Sequence, residues 1–276
     1  MADTAPATLD GGYAKFDPQA YLDTYYKGLS SEWVFTKWSK LWLANVHGFF
    51  QQCGFSKDSA RVLEFGGGPH VIPFFSAAPF ARELVFADFA PANREIVGKW
   101  QSGDPTSKDY SPYVECLITE FEGGKKEEVP DRIADVRSKM SIIPCDIRND
   151  KDILLGSVEG KFDIISSHLC LECASDTLEQ FAGGVKKLKA LLNPGGKLLL
   201  VTDFGDTFYA VGEKKFPILS MTTDQIEACV AGAEFKKVTK IIFTHETACD
   251  GLTKEEVASI EDVSDCGGEI CFYCEV

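Results

Sequence analysis

The chain has 276 residues, of which 45% are hydrophobic and 25% charged, and 28 basic against 42 acidic side chains give a formal net charge of −14. That balance excludes a nucleic-acid binder built on clustered Lys and Arg, because phosphate neutralisation needs those cations. No apolar run approaches the roughly 20 residues of a membrane-spanning helix. The start, Met1-Ala-Asp-Thr, shows no basic stretch followed by an apolar one, so no signal peptide is expected. A cytoplasmic protein with neither membrane nor nucleic-acid partners is the expectation.

Residues 1–15 are small and polar and are expected to be disordered at the extreme end. Asp17-Pro18 reads as an N-cap with proline at the first helical position. Tyr21, Tyr25 and Tyr26 follow on that helix, the first two one turn apart. A longer amphipathic helix is expected over residues 31–52, where Val34, Trp38, Leu41, Trp42, Val46 and Phe49 fall at helical spacing. Such a stripe reads as core or lid packing.

From residue 61 short apolar strands alternate with helical stretches. Strands are expected at residues 61–65, 84–89, 141–146, 162–167 and 197–203. The clearest helix covers residues 177–192 and stops at Asn193-Pro194-Gly195-Gly196. This order predicts an α/β fold with a parallel sheet covered on both faces. Two last strands, near residues 235–244 and 269–276, are expected to pair as an antiparallel edge. Residues 120–128, with Gly123-Gly124-Lys125-Lys126-Glu127-Glu128, read as a charged solvent loop.

Ten cysteines in a chain of this length, without a secretory signal, read as reduced thiols. Cys266, Cys271 and Cys274 have the spacing of an iron–sulfur loop, but the fourth ligand is missing. Cys170 and Cys173 form a C-x-x-C that a zinc site with Cys271 and Cys274 would use. The preferred reading is a final strand whose cysteines pack as small hydrophobes, and no metal is expected.

Val62-Leu63-Glu64-Phe65-Gly66-Gly67-Gly68-Pro69 is the most informative segment. Glycines straight after a buried strand let the backbone approach a ligand closely. A dinucleotide site would need a third glycine at Val71, and Pro69 removes a donor that a pyrophosphate would use. Asp88 closes the second strand, 20 residues beyond Gly68, where an acid takes both ribose hydroxyls. Asp146 ends the third. Glycine loop and both acids therefore share the carboxyl edge of the sheet, where open α/β sheets bind ligands. An acidic edge suits a nucleoside that carries positive charge and no phosphate. S-adenosylmethionine fits that description.

The pattern resembles class I methyltransferases, and among them the nicotinamide, phenylethanolamine and indolethylamine N-methyltransferase family. The matching segments are residues 16–26, 64–69, 87–93, 145–146, 169–172, 191–196 and 209–216, and they fall in the family's order. The tyrosine-rich opening helix and Gly212-Glu-Lys-Lys-Phe216 are the most specific of them. The resemblance implies a Rossmann-like seven-stranded sheet under an N-terminal helical cap. It implies one domain over residues 1–276, with the cap at 16–60, a cofactor-binding core at 61–203, and an acceptor-site segment with edge strands at 204–276. Tyr21 and Tyr26 would then contact the methionine end of the cofactor. Gly66, Gly67 and Gly68 would lie against it, with Ile72 at the family's aromatic position in the next helix. Asp88 and Asn93 would hold the ribose, Asp146 and Ile147 the adenine, and His168 stands where a small hydroxyl is usual. Asp203 and Tyr209 would face the methyl acceptor, with Glu172 or Asp203 available as proton acceptor.

The implied partner is a small-molecule nitrogen acceptor, pyridine-like or arylalkylamine, and the expected state is a monomer. One departure bears on that choice. The serine expected shortly after Phe216 to bind a carboxamide is replaced by Pro217-Ile218-Leu219, with Ser220 further on. Other nucleophilic chemistry has little support: the four histidines accompany no Gly-x-Ser-x-Gly elbow, and His70 reads as a loop residue. A non-catalytic S-adenosylmethionine-binding protein and an NAD(P)-dependent oxidoreductase remain as alternatives, since fold alone does not fix function.

Overall fold

The computed structural model describes Tyr13 and residues 16–29, 36–244 and 267–276. Apart from Tyr13, the polar start expected to be disordered lies outside the described residues. So do Cys266 and the beginning of the helix expected from residue 31, with Val34.

Helix α1 (Pro18–Tyr25) begins as its sequence dictates. The Asp17 carboxylate accepts from the backbone N–H groups of Gln19 and Ala20, both at 3.0 Å, and Pro18 fills the first position, which needs no donor. Helix α2 (Thr36–Gln52) buries Trp42, Leu43, Val46, Phe49 and Phe50, while Trp38 and Leu41, from the same expected stripe, stay half-buried.

The αβ region then runs β1 (Ala60–Phe65), α3 (Ile72–Ala77), β2 (Ala81–Asp88), α4 (Pro91–Gln101), α5 (Ser111–Cys116), α6 (Val129–Lys139), β3 (Met140–Pro144), β4 (Phe162–His168), α7 (Leu178–Ala190) and β5 (Leu192–Phe204). It closes with β6 (Phe208–Val211), β7 (Lys214–Pro217), α8 (Thr223–Ala231), β8 (Lys237–Thr244) and β9 (Gly268–Glu275). Seven strands form one sheet in the order β3-β2-β1-β4-β5-β9-β8. Its first five strands are mutually parallel, and β9 runs antiparallel to both β5 and β8. None of the helices is long and apolar enough to cross a membrane, among the described residues.

Strand alternation builds two cores. Val62, Phe86, Ile164, Leu199, Val201 and Cys271 point to the face covered by α2 and α3. Leu63, Val85, Ile165, Leu200, Phe272 and Cys274 point to the face covered by α7 and α8. A period of two per strand, with both faces covered, explains the near-continuous apolar strands. Cys271 and Cys274 thus project into opposite layers and cannot face one ion.

Two local expectations need correction. The Asn-Pro-Gly-Gly stop does not precede β5 but lies inside it. Pairing jumps from Phe162–Leu192 to Ile164–Lys197, and Gly195 takes φ 78° in the intervening bulge, a conformation open to glycine at little cost. Residues 120–128 are more than a solvent loop: helix α5 continues as a π turn (Leu117–Phe121). Arg132 then donates to both oxygens of Glu122 at 2.7 and 3.0 Å, and Glu128 accepts from the Lys125 N–H at 2.9 Å. Residues 208–217, for which no element was expected, form a separate antiparallel hairpin, β6–β7.

That hairpin meets α1. Phe16, Val211 and Phe216 form a small buried cluster with Tyr21 and Tyr209 packed against it, and burying each such side chain contributes about 1.5–3 kcal/mol. Tyr25 adds a polar staple, donating to the Ala210 carbonyl at 2.9 Å and accepting from the Ala210 N–H at 3.2 Å.

Candidate active site

The carboxyl ends of β1 to β5 open into one cavity of about 240 Å³, roofed by α1, α2 and the β6–β7 hairpin. Its wall takes in Gly66 to His70 after β1, Asp88 to Ala90 and Asn93 after β2, and Cys145 to Arg148 after β3. His168 to Cys170 follow from β4 and Asp203 from β5. Tyr21, Tyr26 and Tyr209 close the other side. The wall therefore brings together every expected site residue except Ile72 and Glu172.

Those two have physical reasons to be absent. Ile72 is fully buried in the core between α2 and the sheet, since the side chains of a short helix packed flat on the sheet point inward. Glu172 is 1% exposed, behind the wall. One of its oxygens accepts from the Asp203 backbone N–H at 3.2 Å. It supports the Asp203 backbone without meeting the cavity.

The glycine loop is shaped by packing on one side and by open space on the other. A Cβ on Gly66 would lie 2.0 Å from the Cys170 sulfur, whereas one on Gly68, at φ 64°, would meet nothing within 4 Å. Asp88 ties this loop to α4. Its Oδ2 accepts from the Gly68 N–H at 2.8 Å, and its Oδ1 accepts from the Ala90 N–H at 2.8 Å and the Asn93 side-chain amide at 3.1 Å. Burial raises the Asp88 carboxyl above its usual range, against those three bonds. Asn93 keeps its own Oδ1 buried with no hydrogen-bond partner among the described residues.

At the far end, Arg148 donates to Asp146 Oδ1 from Nε at 3.0 Å and to Oδ2 from Nη2 at 3.1 Å. Burial would raise the Asp146 carboxyl, but the side-chain and backbone bonds from Arg148 hold it below the usual range. The same guanidinium lies 4.8 Å over the Phe89 ring. Phe89 and Arg148 were not anticipated; each adjoins a residue that was.

Beneath the loop, Trp42 Nε1 donates to His168 Nδ1 at 3.3 Å, which leaves the His168 hydrogen on Nε2. Burial, then His70, lowers His168 to about 3, so its 3.9 Å approach to Glu64 is not an ion pair at neutral pH. Ser166 donates to the other Glu64 oxygen. His70 is a loop residue, as expected, and burial lowers it to about 3. Its ring stands 4.4 Å from Tyr26 in the wall.

The remaining end combines aromatic rings with acids. Tyr13 and Tyr209 hydroxyls meet at 3.1 Å, and Tyr209 stacks on Phe216 at 5.3 Å. Asp203 lines the cavity there, and directly across the β5–β9 ladder stands Glu269, also in the wall. Burial raises the Asp203 carboxyl well above its usual value, reinforced by Glu269, Glu172 and Asp206. Sequence reading missed Glu269, because an acid in a final apolar strand gives no signal until that strand's neighbour is known.

Comparison with known proteins decides the family. The sequence pattern of the NNMT/PNMT/TEMT family matches residues 7–262. The chain belongs to that family. Relatives include nicotinamide N-methyltransferase from Homo sapiens, 28% identical, covering 80% of this chain and 82% of that one. Indolethylamine N-methyltransferase from Mus musculus is 28% identical over 86% of this chain and 90% of its own. Phenylethanolamine N-methyltransferase from Homo sapiens is 26% identical over 85% and 83%. Among solved structures, the glycopeptide N-methyltransferase MtfA complexed with S-adenosyl-L-homocysteine superposes with a TM-score of 0.52 at 12% identity, covering 85% of this chain and 89% of its own. The [4+2]-cyclase SpnF reaches 0.58 at 11%, covering 98% and 96%. These two share the Rossmann-like fold of class I methyltransferases.

As a member of the NNMT/PNMT/TEMT family, the chain is an S-adenosylmethionine-dependent N-methyltransferase acting on a small molecule. Neither the non-catalytic nor the oxidoreductase alternative is favoured. The residues in hand fit the cofactor. The space above Gly68 admits a close ligand, the orphaned Asn93 oxygen is an acceptor for a hydroxyl, and no described phosphate-binding cation intrudes on the glycine loop.

Proposed function

We propose that this enzyme methylates the nitrogen of a small arylalkylamine in preference to a nicotinamide. One observation carries the choice. The acceptor end of the cavity is walled by tyrosines and by the facing carboxyls of Asp203 and Glu269, and no salt bridge neutralises either acid among the described residues. Buried acids of this kind favour a cationic partner. A neutral carboxamide would instead want the hydroxyl that Pro217-Ile218-Leu219 does not supply.

In this reading Tyr21, Tyr26 and His168 border the methionine end, and Gly66, Gly67 and Gly68 lie against the cofactor. Asp88 and Asn93 receive the ribose hydroxyls, while Asp146 and Ile147 border the adenine. S-adenosylmethionine, when bound, supplies an electrophilic methyl on a sulfonium. The protein's share of the chemistry is alignment. Fixing an acceptor against a partner is worth up to roughly 7–11 kcal/mol in favourable systems. Asp203 and the face of Tyr209 stabilise positive charge on the acceptor nitrogen. A cytoplasmic monomer suits an acidic chain whose cavity is walled by its own residues.

Labelled-methyl transfer to 2-phenylethylamine, tryptamine and nicotinamide tests the acceptor class. Turnover with the amines at a kcat/KM at least ~10-fold above nicotinamide is expected, the factor set by one discriminating contact of about 1.4 kcal/mol. Transfer to nicotinamide alone would overturn the reading.

A further inference from the structure

Glu269 is 5% exposed, on the antiparallel last strand, and faces Asp203 in register. Opposed acids in an antiparallel pair repel when both are ionised. Their juxtaposition therefore calls for a proton or a cation between them. On the other side Glu269 is flanked by Phe243 of β8, which offers neither. Trp38, on α2, fixes the carboxyl by donating its indole N–H to Oε1 at 2.5 Å. The second oxygen, Oε2, is buried without a hydrogen-bond partner among the described residues, in a side chain that lines the cavity. Among the described residues, the titratable groups around it are Asp203 on β5, Glu172 after β4, Asp206 after β5, Tyr26 after α1 and Cys271 on β9. All are acids, phenol or thiol, and none brings a positive charge.

We propose that Glu269 anchors the acceptor's ammonium group at Oε2 and takes its proton, with Asp203 as the second carboxyl of the pair. The step balances within the two partners. One N–H bond breaks, its electron pair stays on nitrogen as the lone pair that methylation needs, and the proton forms an O–H bond at Oε2. An ammonium and a carboxylate become an amine and a carboxylic acid. Trp38 holds Oε1 in place throughout, so the proton is directed to one oxygen. Burial, opposed by Trp38 and reinforced by Glu172 and Asp206, raises the carboxyl to about 7. That value places its proton exchange near neutral pH, where a general base is most effective.

The inference rests on the amine reading above, and its test separates the two. Transfer from S-adenosylmethionine to 2-phenylethylamine is measured from about pH 6 to about pH 9 for wild type, Glu269→Gln and Glu269→Asp, together with S-adenosylhomocysteine affinity by calorimetry. In Glu269→Gln, kcat/KM is expected to fall ~10²-fold, the usual weight of a general base, and to lose its rising limb near neutral pH. Product affinity should stay within about twofold of wild type, since none of the proposed cofactor contacts is altered. Glu269→Asp is expected to keep the limb. Unchanged turnover and pH profile in Glu269→Gln would overturn the proposal alone. If Glu269→Gln also lost product binding, the limb in Glu269→Asp would decide: its presence supports the proposal and its absence overturns it. A wild-type enzyme active on nicotinamide but on no amine would remove the amine reading and this proposal with it.

Discussion

Asp88 works as a structural clamp before it meets any ligand. Its two oxygens take three donors from the glycine loop and the start of α4, and each oxygen has limited remaining capacity. Replacing the carboxylate by an amide turns one acceptor into a donor that faces backbone N–H groups. Asp88→Asn is therefore expected to weaken S-adenosylhomocysteine binding by about 1–3 kcal/mol, the usual cost of losing a charged, buried hydrogen-bond partner. Isothermal calorimetry checks this, and wild-type affinity would remove Asp88 from the cofactor site. The contrast with Glu172 is instructive. Both acids are buried, but Glu172 spends its oxygen on the Asp203 backbone behind the wall.

At the scale of elements, the β6–β7 hairpin and α1 hold one another. Their shared aromatic cluster supplies area, and the two bonds between Tyr25 and Ala210 supply register. Removing one hydroxyl leaves both Ala210 backbone groups without that partner. Tyr25→Phe should destabilise the docked hairpin by about 1–3 kcal/mol. Faster hydrogen exchange at the Ala210 amide, with KM for the acceptor raised more than kcat is lowered, is the expected result. Unchanged exchange would show that the apolar cluster alone fixes the hairpin. The helix–strand alternation from residue 61 predicted the main sheet because each strand there is read by its own apolar run. The hairpin escaped notice, since Lys214 and Lys215 give β7 no alternating pattern.

For the whole molecule, the acids at the acceptor end link stability to pH. Glu269 and Glu172 rise to about 7 from an ordinary 4.5, each mainly through burial, and Asp203 is raised as well. A carboxyl raised in the folded state binds more protons there than in the unfolded chain. Its contribution is thus full below about 4.5 and is lost as pH climbs through about 7. Without ligands, the Tm of wild type relative to Glu269→Gln should fall between about pH 5 and about pH 8, a window set by that linkage. Scanning fluorimetry at both pH values checks it, and a constant difference would show that Glu269 does not titrate there.

Local pattern was enough to determine the sheet-and-helix class, the family, and the loop-plus-acid arrangement of Gly66 to Gly68 with Asp88 and Asp146. Each of these is written in contiguous residues: an apolar strand, a glycine turn, and an acid where a strand ends. Tertiary structure alone decided the places of three further residues. Glu172 was turned behind the wall, Ile72 was drawn into the core, and Glu269 was brought opposite Asp203 by the antiparallel insertion of β9 beside β5. Side-chain direction on a strand depends on register with a neighbour far away in the chain, and a one-residue shift would send Glu269 to the other face.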